Sequence, residues 1–208
     1  MARTVTSYCK ICRREGAPLF FKGARCFTQK CAIKKREYPP GMHVYRRQKV
    51  TDFGLKLRET QKLKRAYGLS HRQFLRVFEE AKRLKGNTGE NLLQLLERRL
   101  GRVVATLGFA PSILGARQMI AHGHIQVNGK KMDVPSYTVS VGDTITVHGR
   151  ERSQKLAKAS IDIGLTGRAP HWLERSEEPP KGKVIGLPKR EDVALPVNEN
   201  LVVEYCSR

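Results

Sequence analysis

Four of the five cysteines in this 208-residue chain fall within 23 residues, as Cys9-x-x-Cys12 and Cys26-x-x-x-x-Cys31. Two thiolates two to four residues apart can bind one tetrahedral ion, and the thirteen residues between the pairs are enough to close the second pair onto it. The spacing therefore predicts one structural Zn2+ held by Cys9, Cys12, Cys26 and Cys31. Arg13, Arg14, Lys22 and Arg25 lie nearby and help keep thiolates ionised. An iron–sulfur cluster uses the same four-thiolate set and is the competing reading. Reduced thiols without a metal are the plainer one. A catalytic zinc is disfavoured, because four thiolates leave no open position for water. A segment this short and polar buries too little apolar surface to fold alone, and zinc binding, worth roughly 10–16 kcal/mol in small structural sites, can supply the fold. Cys206 stands apart and reads as an ordinary thiol.

The second chemistry is charge. Lys and Arg total 40 against 19 Asp and Glu, a net charge of +21. A compact body at that charge repels itself unless a polyanion is close. Nucleic acid fits best, since each neutralised phosphate releases condensed counterions. Residues 1–65 carry 18 Lys/Arg and 4 Asp/Glu, and residues 66–208 carry 22 and 15. Two-thirds of the excess sits in the first third of the chain, so the N-terminal region is expected to meet the polyanion. An anionic membrane is a weaker partner, because no stretch sets a continuous bulky apolar face against a basic one. Met1 to Lys10 lacks an apolar leader core and no run of 18 apolar residues occurs, so an intracellular, cytoplasmic protein with reduced thiols is expected.

The elements that would position these groups are partly visible. Residues 1–45 show little periodicity and read as a loop-rich lobe held by something other than a core. Thr51 to Tyr67 reads as a basic helix stopped by Gly68, and Ser70-x-x-Gln73 is a capping box opening a helix with Phe74, Val77, Phe78 and Ala81 on one face. Thr88 can cap a third helix whose stripe Leu92, Leu96, Leu100, Val103 and Leu107 runs to Gly108. Ser112 starts a short helix, Ile113 to His122. Asn128-Gly129, flanked by His124–Val127 and Lys130–Val134, predicts a type I′ hairpin. Val139, Val141, Ile145 and Val147 alternate around Gly142-Asp143 as two more strand candidates, and a helix runs from Ser153 to Ile163. Prolines then break the pattern, and Leu201–Tyr205 reads as extended.

Glu97 to Val147 thus sets a basic helix beside a basic hairpin, with Arg117 projecting away from the Ile113/Ile120 side and Lys130 and Lys131 just past the turn. Such a surface suits structured RNA, read through phosphates, 2′-hydroxyls and unpaired bases. The plain alternative is that Lys130 and Lys131 are solvated turn residues. Arg117-Gln118-Met119-Ile120-Ala121-His122-Gly123-His124-Ile125-Gln126-Val127-Asn128-Gly129 resembles the small RNA-binding module named after ribosomal protein S-four. That module also occurs in RNA-modifying enzymes. The rest of the chain narrows the resemblance to the small-subunit ribosomal protein S-four family: Tyr38-Pro39-Pro40-Gly41-Met42-His43, Leu57-Arg58-Glu59-x-Gln61-Lys62, Arg72-Gln73-Phe74, Gly86-Asn87-Thr88-Gly89-Glu90-Asn91-Leu92-Leu93 and Leu195-Pro196-Val197-Asn198-Glu199. It is similar to the four-cysteine, zinc-binding form.

The resemblance implies an α+β protein: a loop-rich zinc lobe at 1–45, a helical body at 46–96 completed by 165–208, and an inserted two-helix and hairpin module with its following helix at 97–164. It implies early, direct binding to the five-prime domain of small-subunit rRNA, in a bacterial or an organellar ribosome. It also implies contact with ribosomal protein S-five, an effect on decoding accuracy, and a place on the channel by which messenger RNA enters, through Arg46, Arg47 and Lys49. The expected RNA contacts are Arg3, Arg13, Arg14, Lys22, Lys35, Arg36, His43, Arg58, Lys62, Arg65, Arg72, Arg117, His122, His124, Asn128, Lys130 and Lys131. Two stretches depart from the family pattern. Pro-Gly-Gln-His-Gly reads Pro40-Gly41-Met42-His43-Val44, and Leu-Asp-Asn-Val-Val-Tyr reads Leu100-Gly101-Arg102-Val103-Val104-Ala105.

An RNA-modifying enzyme needs a catalytic domain for which the chain leaves little room. It shows no phosphate-cradling glycine loop and no nucleophile–base set. A zinc-dependent DNA regulator needs a groove-reading helix, and the cysteine lobe has no clear one. The expectation is a binding protein without a small-molecule substrate.

Overall fold

The computed structural model describes residues 7–42, 51–164, 167, 169–176 and 178–207. An N-terminal lobe holds α1 (Tyr8–Glu15) and the single turn α2 (Ala32–Lys35). Three helices follow, α3 (Asp52–Ala66), α4 (His71–Arg83) and α5 (Thr88–Glu97). Next come α6 (Leu100–Thr106), α7 (Ile113–Ala121), β1 (Ile125–Val127), β2 (Lys130–Lys131), β3 (Thr144–Val147) and α8 (Glu151–Asp162). The chain finishes with β4 (Leu173–Ser176), β5 (Lys181–Val184) and α9 (Glu199–Cys206).

The helix starts follow from local side-chain chemistry. Thr51 accepts the Gly54 N–H, and Ser70 and Gln73 satisfy each other's backbone N–H groups in the expected box. Asn87, not Thr88, caps α5. α3, α4, α5 and α9 enclose one core, in which Leu63, Phe74, Leu92, Leu96 and Val202 are fully buried. A second core joins α6, α7, the sheet and α8 around Leu100, Val103, Ile120, Ile125 and Ile145.

The single helix expected from Thr88 to Gly108 is two helices. At Arg98–Arg99 the backbone leaves the helical path to run beside residues 135–139. The Val139 N–H donates to the Arg98 carbonyl, the Leu100 N–H to that of Tyr137 and the Gly101 N–H to that of Pro135. The apolar stripe is continuous in sequence but divided in space. Leu92 and Leu96 enter the first core, while Leu100, Val103 and Leu107 enter the second.

The hairpin forms as expected, with Asn128 at φ 51° and Gly129 at φ 76°. Of the two strands expected around Gly142-Asp143 only β3 forms; Val139 is buried beside the Arg99–Thr138 bridge and Val141 stays exposed. The sheet is antiparallel in the order β2-β1-β3-β5-β4. β4 and β5 come from the proline-rich stretch that promised no structure. Segment 165–208 therefore splits, with β4 and β5 extending the module's sheet and α9 closing the helical body. Leu201–Tyr205, expected to be extended, is helical: Asn198 caps α9, and Val202 is drawn into the first core.

The lobe is also more ordered than expected. Ile11, Cys12, Leu19 and Phe21 are buried in the second core, so apolar packing as well as any metal ties the lobe down. Gly23, at φ 55°, lies so close to Pro111 that a Cβ would meet its carbonyl oxygen at 2.9 Å.

Candidate nucleic-acid interface

Cys9 and Cys12 lie on α1, Cys26 ends a 3₁₀ turn and Cys31 caps α2. All four line one cavity of about 20 Å³, with Lys22 and Arg25 at its edge. Burial, and then the other three cysteines, push the Cys12 thiol above its ordinary pKa. Among the described residues no three His, Cys, Asp or Glu side chains stand close enough together to hold a metal ion. The lobe gathers the four cysteines around one space.

The expected RNA contacts fall into two groups. Lys22, Lys35, Arg36, Arg72, His122, Lys130 and Lys131 are exposed. The other described ones are engaged by groups of the protein itself, the exposed Arg14 and Asn128 among them. Arg13 donates to the carbonyls of Tyr38 and Pro39, its guanidinium over the Tyr38 ring, and the exposed Arg14 donates to that of Pro40. Arg58 and Arg65 both pair with Glu15, whose side chain is completely buried. Lys62 pairs with Glu59 at 2.5 Å and donates to the Pro196 carbonyl, tying α3 to the segment before α9. Asn128 Nδ2 donates to Asp143, and its Oδ1 accepts the Thr144 N–H, so this side chain builds the hairpin. Arg3, His43, Arg46, Arg47 and Lys49 lie outside the described residues.

Arg117 does not project freely from α7. Its Nη1 donates to the Gly68 carbonyl at 2.6 Å, bridging the module to the α3–α4 turn, and burial presses its pKa down. His124 is half-buried, with Nδ1 2.9 Å from the Ser153 hydroxyl. Burial lowers its pKa first, followed by His122, Arg152, Arg150 and His148, a basic cluster at the edge where β1, β3 and α8 meet.

Sequence reasoning missed several cations. Lys181 and Lys183 stand exposed on one face of β5, signalled by the alternation Lys-Gly-Lys-Val. Arg150 and Arg152 carry no comparable signal, since only the fold brings them to His124. Arg99 and Arg102 were also missed. Arg102 donates to Glu97, which also accepts the Tyr67 hydroxyl at 2.6 Å. Burial alone would lower the Arg102 pKa, but Glu97 raises it above its ordinary value; burial and the Glu97 charge hold the Tyr67 hydroxyl well above its own. The departure at position 101 has a packing reason as well: a Cβ on Gly101 would stand 3.3 Å from both Arg117 Cγ and the Pro135 carbonyl.

A cavity of about 180 Å³ lies between the two cores and is lined in part by Tyr67, Gln73, Arg99, Arg102, Arg117 and Asp133. It is below the roughly 300–1,000 Å³ of small-molecule pockets. No helix among the described residues is long and apolar enough to cross a membrane.

Comparison with known proteins agrees with this arrangement. Residues 3–97 match the family described as ribosomal protein S4/S9 N-terminal domain, and residues 98–145 match the S4 domain. The boundary falls where the chain passes from α5 to α6. The small ribosomal subunit protein uS4 of Thermoanaerobacter sp. (strain X514) is 50% identical over 208 residues, covering all of both chains. The protein of that name from Thermodesulfovibrio yellowstonii is 49% identical, and uS4A of Alkaliphilus oremlandii is 50% identical, again over both whole chains.

Proposed function

Because the chain belongs to the small ribosomal subunit protein uS4 family, we propose that it is a structural, non-enzymatic part of the small ribosomal subunit that binds that subunit's RNA directly. The observation that carries this reading is the distribution of exposed cations. Lys22, Lys35 and Arg36 on the lobe, Arg72 on α4, Lys130 and Lys131 on the hairpin and Lys181 and Lys183 on β5 are exposed on elements of both cores. Phosphate contacts from rigid elements fix position on a folded RNA, and unpaired bases supply specificity.

The finer reading is early binding to the five-prime domain of the rRNA, nucleating assembly of the subunit body. Ribosomal protein S-five would be a neighbour, through which decoding accuracy is affected, and Arg46, Arg47 and Lys49 would face incoming messenger RNA. Cys9, Cys12, Cys26 and Cys31 would hold one structural zinc ion. The four thiols around one cavity and the two cations beside it suit a zinc–thiolate group, which when bound cross-links the lobe.

Equilibrium binding of the purified chain to small-subunit rRNA, against competitor RNA of equal length and with or without a zinc chelator, tests both parts. Selective binding that weakens on chelation is expected, together with one zinc per chain by native mass spectrometry. Equal affinity for any RNA would reduce the recognition to net charge. Selective binding indifferent to chelation, with no zinc in the mass, would remove the metal and leave the RNA reading.

A further inference from the structure

Two phenyl rings of the N-terminal lobe face solvent. Phe20 stands between the buried Leu19 and Phe21 yet keeps 42% of its surface exposed, and Phe27 keeps 48%. Their ring centroids are 4.8 Å apart and their planes 21° from parallel, a stacked pair. Among the described residues it is the ring pair with both members exposed; the others each include a buried or half-buried ring. A single exposed phenylalanine is ordinary, whereas apolar groups gathered on a surface mark a contact. Phe20 also sits at φ 50°, a left-handed conformation that bulky side chains rarely adopt and that collects at functional sites. Its carbonyl accepts the Gly23 N–H, the Phe27 N–H donates to the Ala24 carbonyl, and the Phe27 carbonyl accepts from the Lys34 ammonium. Both rings therefore rise from hydrogen-bonded backbone. The surroundings are cationic. Between Gly16 and Arg36 the chain carries Lys22, Arg25, Lys30, Lys34, Lys35 and Arg36 and no acid, and all six are exposed. An apolar protein face would meet those charges uncompensated, whereas a nucleic-acid strand brings a phosphate with each base it offers.

We infer that the Phe20–Phe27 pair is a stacking platform for an unpaired base of the bound RNA, with the cations of the lobe on the flanking phosphates. Each ring covers one face of the other, so a base extends the stack on an open side. Every base has a π face, so the platform selects unpaired RNA over paired RNA rather than one sequence over another. The inference rests on the RNA-binding reading for which RNA is bound, but a generic single strand probes the platform by itself.

Binding of the full chain is measured to small-subunit rRNA, to single-stranded oligoadenylate, and to an abasic strand of the same length and charge. The proteins are the native chain, Phe20→Asn, Phe27→Leu and Phe27→Trp. Asn adopts the left-handed backbone readily and Leu keeps the apolar bulk, so both remove a ring while sparing the lobe. The native chain and Phe27→Trp are expected to prefer oligoadenylate to the abasic strand. Phe20→Asn and Phe27→Leu are expected to lose that preference and to bind rRNA about 5- to 150-fold more weakly, the loss of one stacked base. Their salt slope should stay at the native value, because no charge is removed. A slope that falls with the affinity would show that the lobe itself has come apart, and would overturn the platform. Unchanged rRNA affinity in both variants, or no preference for oligoadenylate in the native chain, would overturn it too. So would self-association of the free chain that depends on the rings, seen by sedimentation while RNA binding is unchanged, since the pair would then be a protein contact. Loss of rRNA selectivity in the native chain, with the oligoadenylate preference intact and dependent on the rings, would instead remove the ribosomal reading and leave a base-stacking site.

Discussion

Glu15 is the only acidic residue among the first 36, and its side chain is fully buried between Arg58 and Arg65. Removing one partner of a buried pair leaves the remaining charge uncompensated, at about 3–5 kcal/mol. Both arginines keep about a third of their side-chain surface in water. Glu15→Gln is therefore expected to cost about 3 kcal/mol, the lower end of that range, read as a lower denaturant midpoint with unchanged slope. A loss under about 1 kcal/mol, a surface-pair value, would show that apolar contacts alone hold the lobe. His124 supplies a pH dependence. Its folded pKa lies below the ordinary value of 6.5, through burial and then His122, Arg152, Arg150 and His148. The unfolded chain thus binds its proton first as pH falls. Stability is full above about 6.5, declines through the window between the two values, and is flat below the folded one. His124→Gln should flatten the decline between pH 7 and 5, measured by urea unfolding at each pH. At this level the sequence showed which residues carry charge but not which are already occupied. Arg13, Lys62 and Arg117 end on backbone carbonyls of Tyr38, Pro196 and Gly68, and no residue type or spacing announces a carbonyl partner 25 to 134 positions away.

Local rules worked where the signal is local. The Ser70–Gln73 box, the Asn128-Gly129 turn and the Thr51 and Ser112 caps all stand where a few neighbouring side chains satisfy the backbone. They failed where distant packing decides. Leu201-Val202-Val203 has the β-branched content of a strand, yet α9 is helical because one helical face covers the core under α3 and α5. β4 and β5 hide among prolines because the pairing they need, Thr144 with Lys183 and Ile145 with Gly182, is supplied by a strand nearly forty residues earlier. Gly182 is the tightest point of that pairing, since a Cβ there would strike both methyls of the fully buried Leu107. Gly182→Ala is expected to cost about 1–3 kcal/mol by overpacking, and thermal unfolding would detect it as a lower midpoint. A neutral result would mean that Leu107 can turn aside, and that the sheet does not press on α6 as closely as its position implies.

The whole chain carries +21 on two cores joined by Arg117, by the Tyr67–Glu97–Arg102 cluster and by the run from α5 to α6. If six to ten phosphates are neutralised, rRNA affinity should fall by about 10³–10⁵ between roughly 50 and 200 mM salt. A shallower fall, measured by filter binding at several salt concentrations, would mean that most exposed cations face solvent in the complex. Net charge was fully readable from composition; the joint between body and module was not, because its members lie on four different elements. The order of the sheet has a further bearing on the protein before it meets RNA. Its two free rims are β2, two residues long and both of them lysine, and β4, which places the exposed Glu174 beside Arg175. Short, charged rims give a second chain little to zip onto. Newly made copies waiting for rRNA can thus accumulate as separate molecules instead of seeding fibrils through strand-to-strand addition.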